Sequence, residues 1–166
     1  MSRIDRSTPW WSRWLGQLTD GAKSALASVA RRLGPPTLLG VPVSAAILTR
    51  VAAVSPHQPL DEVAQLFVVG HHALMPVVEH GRPISVITRS DVAAGLAAAG
   101  PHGAVADAPS HHVVTVAPSD SLAHVLARLG DVPDSIAVVV DHGGPVGVLT
   151  VETVAAYLDD AARRAV

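Results

Sequence analysis

The chain contains no cysteine. That excludes a disulfide framework, a thiolate metal site and a cysteine nucleophile, and it fits a reducing cytosol. Charge of one sign is lacking as well: the formal net charge is -2, which gives no electrostatic ground for nucleic acid as a partner. No run approaches the roughly 18 consecutive apolar residues of a membrane span, and the opening Met-Ser-Arg-Ile-Asp-Arg is not followed by the apolar stretch of an export signal. The expected location is cytoplasmic. Catalytic patterns are missing too. There is no His-Glu-x-x-His, no nucleophile elbow, no Walker-type loop and no paired acidic constellation on one element, so no catalytic residue and no metal ligand is expected, and the chain reads as a non-enzyme. Aromatic residues are only 3% of the chain, yet all three tryptophans fall between positions 10 and 14.

What the chain does have is itself, twice. At a constant offset of 62 residues Val54 corresponds to Val116, Pro56 to Pro118, Leu60 to Leu122, Val63 to Val125, His80-Gly81 to His142-Gly143, Pro83 to Pro145, Thr88 to Thr150 and Val92-Ala93-Ala94 to Val154-Ala155-Ala156, with no gap. A unit duplicated in this way is expected to pack against its copy about a pseudo-twofold axis, which moves the functional question to the groove between the halves. Each copy reads β, α, β, β, α. In the first, Val51 to Val54 suggests a short strand and Pro59 to Val69 a helix. Leu74 to Val78 and Ile84 to Ile87 suggest a hairpin around Glu79-His80-Gly81-Arg82, and Ser90 to Ala99 an alanine-rich helix. The second copy predicts the same elements over Val113 to Val116, Ser121 to Leu129, Ile136 to Val140, Val146 to Leu149 and Glu152 to Ala165.

Residues 10–33 differ in character. At about 100° per residue, Trp11, Trp14, Leu15, Leu18, Ala22, Ala25, Leu26, Val29 and Leu33 share one arc of roughly 120°, opposite Arg13, Asp20, Lys23 and Arg31. This predicts an amphipathic helix that stops near Gly34, before Pro35 and Pro36. Such a stripe packs onto its own domain, or docks on a partner protein or a membrane surface, which would make the chain membrane-peripheral. The organisation expected is therefore a helical arm and linker over 1–40, one repeat over 41–103 and a second over 104–166.

The stretches VSPHQPLDEVAQLF…LMPVVEHGRPISVITRSDV and VTVAPSDSLAHVLARL…IAVVVDHGGPVGVLTVETV each resemble a CBS domain, and together a tandem pair of the Bateman type. The resemblance spans from about Val41 to the C-terminus. It implies an α/β (α+β) fold in which two pseudo-symmetric βαββα repeats pack as a pair, with VPVSAAILT as the lead-in before the first strand, and it implies association into homodimers. A faint similarity of PWWSRWLGQL…GVPVSAAIL to the junction before CBS tails of site-2-type membrane proteases is also present, without the zinc motif or the spans.

CBS pairs are similar in offering adenosine sites between repeats, with a signature G-h-x-[TS]-x-x-[DN] where the last strand meets the last helix. The spacing has a physical basis. A hydroxyl at a helix start lies beside free backbone amides that favour phosphate oxygens, and a carboxylate three residues on can accept hydrogen bonds from both ribose hydroxyls. The first copy reads Ser85-Val86-Ile87-Thr88-Arg89-Ser90-Asp91, matching at Thr88 and Asp91, with Arg89 or Arg82 as candidates to pair with phosphate. The second reads Gly147-Val148-Leu149-Thr150-Val151-Glu152-Thr153. There the carboxylate position is taken by Thr153, and Glu152 would point about 100° away, so a second site at Thr150 and Glu152 is doubtful. The same residue types also serve as helix caps.

Nine histidines include the doublets His71-His72 and His111-His112, whose neighbours diverge on either a strand or a helix and so form no chelating pair. The function expected is a regulatory module that requires no cofactor. It would sense AMP, ADP, ATP or S-adenosylmethionine in the groove between repeats and signal to a partner. The alternative is a non-liganded dimerisation module that docks a partner or a membrane through its tryptophan-bearing arm.

Overall fold

The computed structural model describes residues 40–49, 51–132 and 134–164. The expected amphipathic helix over 10–33 lies outside the described residues. In chain order the elements are a 3-10 turn at Val43–Ala45, β1 (Leu48–Thr49), α1 (Leu60–Gly70), β2 (Leu74–Glu79), β3 (Arg82–Thr88) and α2 (Arg89–Ala99). A second 3-10 turn at Val105–Asp107 follows, then β4 (His112–Val116), α3 (Leu122–Asp131), β5 (Ser135–Asp141), β6 (Gly144–Leu149) and α4 (Val151–Arg164). The fold is the expected α+β pair, and the two copies keep the sequence register.

Both hairpins turn on a His-Gly pair at positive φ: His80 at 50° and Gly81 at 77°, His142 at 49° and Gly143 at 83°. Two consecutive left-handed residues are what a two-residue hairpin needs to follow the twist of its strands. Beside each turn the antiparallel register slips at equivalent places, Val77/Val78 and Val139/Val140.

One expected element is reduced. The strand read over Val51 to Val54 is a single parallel bridge, Val54 to Val77, whereas its counterpart β4 runs for five residues parallel to β5. The Val54 amide donates to the Pro76 carbonyl at 2.9 Å and the Val78 amide to the Val54 carbonyl at 2.8 Å, so this edge of β2 faces the Val54 segment. The next donor along that edge would be the amide of residue 76, and proline has none. In the second copy the position is Val138, paired with Thr115, and the ladder continues.

The lead-ins are exchanged between copies. The Val41 carbonyl accepts from the Leu122 amide at 2.9 Å, and Val43 N–H donates to the Asp120 carbonyl at 2.9 Å. The equivalent pair is Gly103 accepting from Leu60 at 2.8 Å and Val105 donating to Gln58 at 3.0 Å. Each central helix thus has a first-turn amide, which no carbonyl of its own helix can reach, satisfied by the segment leading into the other strand set. The exchange extends to the sheets. β1 adds antiparallel to β6, giving the order β1-β6-β5-β4, while β3 of the two-stranded β2-β3 sheet is bridged antiparallel by His111 at Val86.

Three apolar clusters follow. One gathers Val54, Leu60, Val63, Phe67, Met75, Val77, Ile87, Val92 and Val105. A second gathers Val43, Val114, Val116, Leu122, Val125, Leu126, Val139, Leu149 and Val154. The third joins the halves: Leu74, Val86, Val138 and Val148 are all buried against one another. Val86 and Val148 are equivalent in the repeat, as expected for two sheets meeting about a pseudo-twofold axis.

Candidate ligand site at the start of the second helix

β3 ends at Thr88, which stays extended (φ -105°, ψ 170°) as the N-cap of α2. Its hydroxyl accepts from the Asp91 amide at 3.3 Å, and Asp91 Oδ2 in return accepts from the Thr88 amide at 2.8 Å and the Thr88 hydroxyl at 2.6 Å. This is a reciprocal capping box, and it fixes the carboxylate over the positive end of the helix. The Asp91 side chain is only 14% exposed. Its Oδ2 also lies 3.2 Å from Nε2 of His111, whose Nδ1 is 2.7 Å from Oδ1 of Asp134. Asp134 sits in the connection between α3 and β5, at φ 58°, so the three side chains span both repeats.

The second copy shows what happens without the carboxylate. Thr153 Oγ1 accepts from the Thr150 amide at 3.0 Å and donates to the Thr150 carbonyl at 2.9 Å, while the Thr153 amide donates to Thr150 Oγ1 at 3.3 Å. The helix cap survives; the anionic acceptor does not. Glu152 falls within α4, but its side chain lies outside the described residues.

The arginines are placed differently from Thr88 and Asp91. Arg89 Nη2 donates to the Phe67 carbonyl at 3.2 Å, near the C-terminal end of α1, where a cation meets the negative end of that helix. Arg82 opens β3 opposite Glu79, and six residues of strand put it roughly 20 Å from Thr88. Thr88 and Asp91 are therefore brought together, Arg89 is adjacent but bonded elsewhere, and Arg82 is remote. Sequence reasoning missed His111 and Asp134. No local motif marked His111: it is bridged to Val86 near the end of β3, and its repeat equivalent Thr49 pairs with Gly147 of β6. Its neighbour His112 is exposed, as alternation of adjacent residues requires. Among the described residues no group of three His, Asp or Glu side chains is disposed to hold a metal ion, and no helix is long and apolar enough to cross a membrane.

The CBS domain family model matches residues 43–98 and again 105–160. The chain belongs to the CBS-domain family, as a tandem pair. No curated protein sequence matches this CBS pair. Solved structures that share its fold include a hemolysin-like CBS protein of Oenococcus oeni, at TM-score 0.62 and 17% identity, with 78% of this chain and 97% of that one covered. The CBS pair of protein MJ0100, in complex with 5'-methylthioadenosine and S-adenosyl-L-methionine, matches at TM-score 0.60 and 20% identity over 73% of this chain and 98% of that one. The CBS domain of a bacterial CNNM/CorC family Mg2+ transporter, in complex with ATP, matches at TM-score 0.65 and 18% identity over 81% and 96%. CBS pairs are in general regulatory rather than catalytic units, and in these two neighbours the ligand is an adenosine compound.

Proposed function

We propose that this CBS pair is a regulatory module that senses an adenosine-containing ligand at Thr88 and Asp91, in the groove between the repeats, and conveys the ligand's presence to a partner. One observation carries the reading. Asp91 is a largely buried carboxylate held at a helix N-terminus, in the one half of the pair whose cap supplies an anionic acceptor, at the position where the family signature has its ribose-binding acid. The adenosine ligands of the MJ0100 and CNNM/CorC neighbours support the same chemistry. Recognition rests on the nucleoside rather than the phosphates, because Arg89 already donates to the α1 terminus and Arg82 is remote. AMP, ADP, ATP and S-adenosylmethionine are thus all candidates.

Isothermal titration of the full chain with these four compounds tests the proposal: one of them binds, and Asp91→Ala abolishes the heat. A second reading is favoured by a specific feature, the two Thr88 bonds and the nearby His111 imidazole that already engage Asp91 Oδ2 without any ligand. In that reading the carboxylate is a cap and an inter-repeat tie, and the pair is a dimerisation or docking unit. Absence of heat with all four compounds on folded protein would decide for it.

A further inference from the structure

We infer that His111 is a latch on the Asp91 site, one that a ligand must open and whose opening alters the hold on Asp134 of the second repeat. The inference rests on the proposed ligand reading. Asp91 Oδ2 accepts two hydrogen bonds, both from Thr88, and these belong to the helix cap. A further group, His111 Nε2, lies 3.2 Å from the same oxygen and comes from outside the helix. A vicinal diol held bidentately needs both carboxylate oxygens. The cap bonds are made within one turn and cannot leave without unwinding α2, so the contact that gives way is the imidazole.

His111 is well placed to yield and to transmit. Its backbone is locked to β3, with its amide donating to the Val86 carbonyl at 2.8 Å and its carbonyl accepting from the Val86 amide at 3.1 Å. Only the side chain can move. The imidazole is 25% exposed, so it has solvent to turn into. On its other side Nδ1 meets Asp134, which is 68% exposed, and the Asp134 carbonyl accepts from the His112 amide at 3.2 Å. A neutral imidazole carries a single N–H, so it donates to one carboxylate at a time unless protonated. Displacing the ring from Asp91 therefore also alters what holds Asp134 ahead of β5. The arrangement is confined to one half: the repeat equivalents of Asp91, His111 and Asp134 are Thr153, Thr49 and His72, which supply no carboxylate.

The test is calorimetric titration of the full chain, His111→Ala, Asp134→Asn and the double variant with AMP, ADP, ATP and S-adenosylmethionine. Partly exposed pairs of this kind are worth little, so His111→Ala should tighten binding by about 1.5-fold to fivefold. Asp134→Asn should add nothing once His111 is gone. Amide exchange at His112 should quicken on ligand addition in the parent protein and be indifferent to ligand in His111→Ala. Equal or weaker binding by His111→Ala, or a full effect of Asp134→Asn in its absence, overturns the latch while leaving the ligand reading intact. No binding by either the parent or His111→Ala overturns the ligand reading itself.

Discussion

Replacing Asp91 by threonine copies into the first repeat what the second repeat already does. Thr153 shows that a hydroxyl at this position keeps a bond from the N-cap amide, at 3.0 Å, and closes the turn onto the Thr150 carbonyl. Asp91→Thr should therefore lose the charge-assisted share of two bonds, the favourable placement of an anion at the start of α2 and the His111 contact, while retaining a neutral cap. A charge-assisted bond exceeds a neutral one by about 1 kcal/mol, and the helix-terminus effect adds about 0.3–1 kcal/mol. The net cost to folding should be about 2–3 kcal/mol, and Asp91→Ala, which keeps the Thr88 hydroxyl on the residue-91 amide but leaves the Thr88 N–H without its acceptor, should cost roughly 1 kcal/mol more. Binding should respond far more strongly. Two ribose hydroxyls donating to a carboxylate contribute together about 3 kcal/mol or more, so adenosine affinity should fall about 100-fold. Urea denaturation followed by circular dichroism gives the stability, and titration calorimetry gives the affinity. The reasoning is refuted if Asp91→Thr unfolds as readily as Asp91→Ala, or if it binds the ligand as tightly as the parent.

The reciprocal change, Thr153→Asp, should install a carboxylate under the Thr150 amide and raise calorimetric stoichiometry from one to two ligands per chain; an unchanged stoichiometry would show that the second groove lacks more than the acid. Gly95→Ala should lower the melting temperature, because an added Cβ would lie 2.7 Å from Cβ of Ala108 and 3.0 Å from Leu60 Cδ1. Overpacking of that kind costs about 1–3 kcal/mol, against a gain in helix propensity of about 1 kcal/mol; a rise in melting temperature would contradict the tight packing of α2 on this segment. Pro76→Val should restore the missing edge donor and slow amide exchange over residues 51–54, and no change there would mean that the Ala52-Ala53 pair rather than the proline limits the strand. Saturating ligand should shift tryptophan emission, since all three indoles lie at positions 10–14; constant emission would disconnect that segment from the site.

Much of the fold was legible because the duplication reports on itself. Each element inferred in one half could be checked against the other, and the His-Gly turns and the Thr88 and Thr150 caps lie at matching positions. The failures have physical causes. The Val51 to Val54 strand was over-read because β propensity was weighed in the strand itself, whereas its length is limited by a proline in the neighbour it should pair with. The exchange of lead-ins between halves is a long-range event: Val41 meets Leu122 and Gly103 meets Leu60 through backbone groups, which every residue carries and no side-chain pattern reveals. At the site, local spacing sufficed for Thr88 and Asp91, since a capping box is a three-residue feature. Arg89 was a candidate by proximity in sequence, yet the helix terminus presented by Phe67, 22 residues away, offers its guanidinium a nearer acceptor. His111 and Asp134 reach Asp91 from the other repeat, far away in sequence, and belong to no local motif.

The central claim is that two equivalent halves frame one competent adenosine site, supplied with its acid by Asp91 alone. The direct measurement is the number of ligand molecules bound per chain at saturation, by calorimetry or native mass spectrometry with the tightest of the four adenosine compounds. One per chain, with Asp91→Thr left almost unoccupied at the concentration that just saturates the parent, is the predicted result. Two per chain, or one that survives Asp91→Thr, would contradict it.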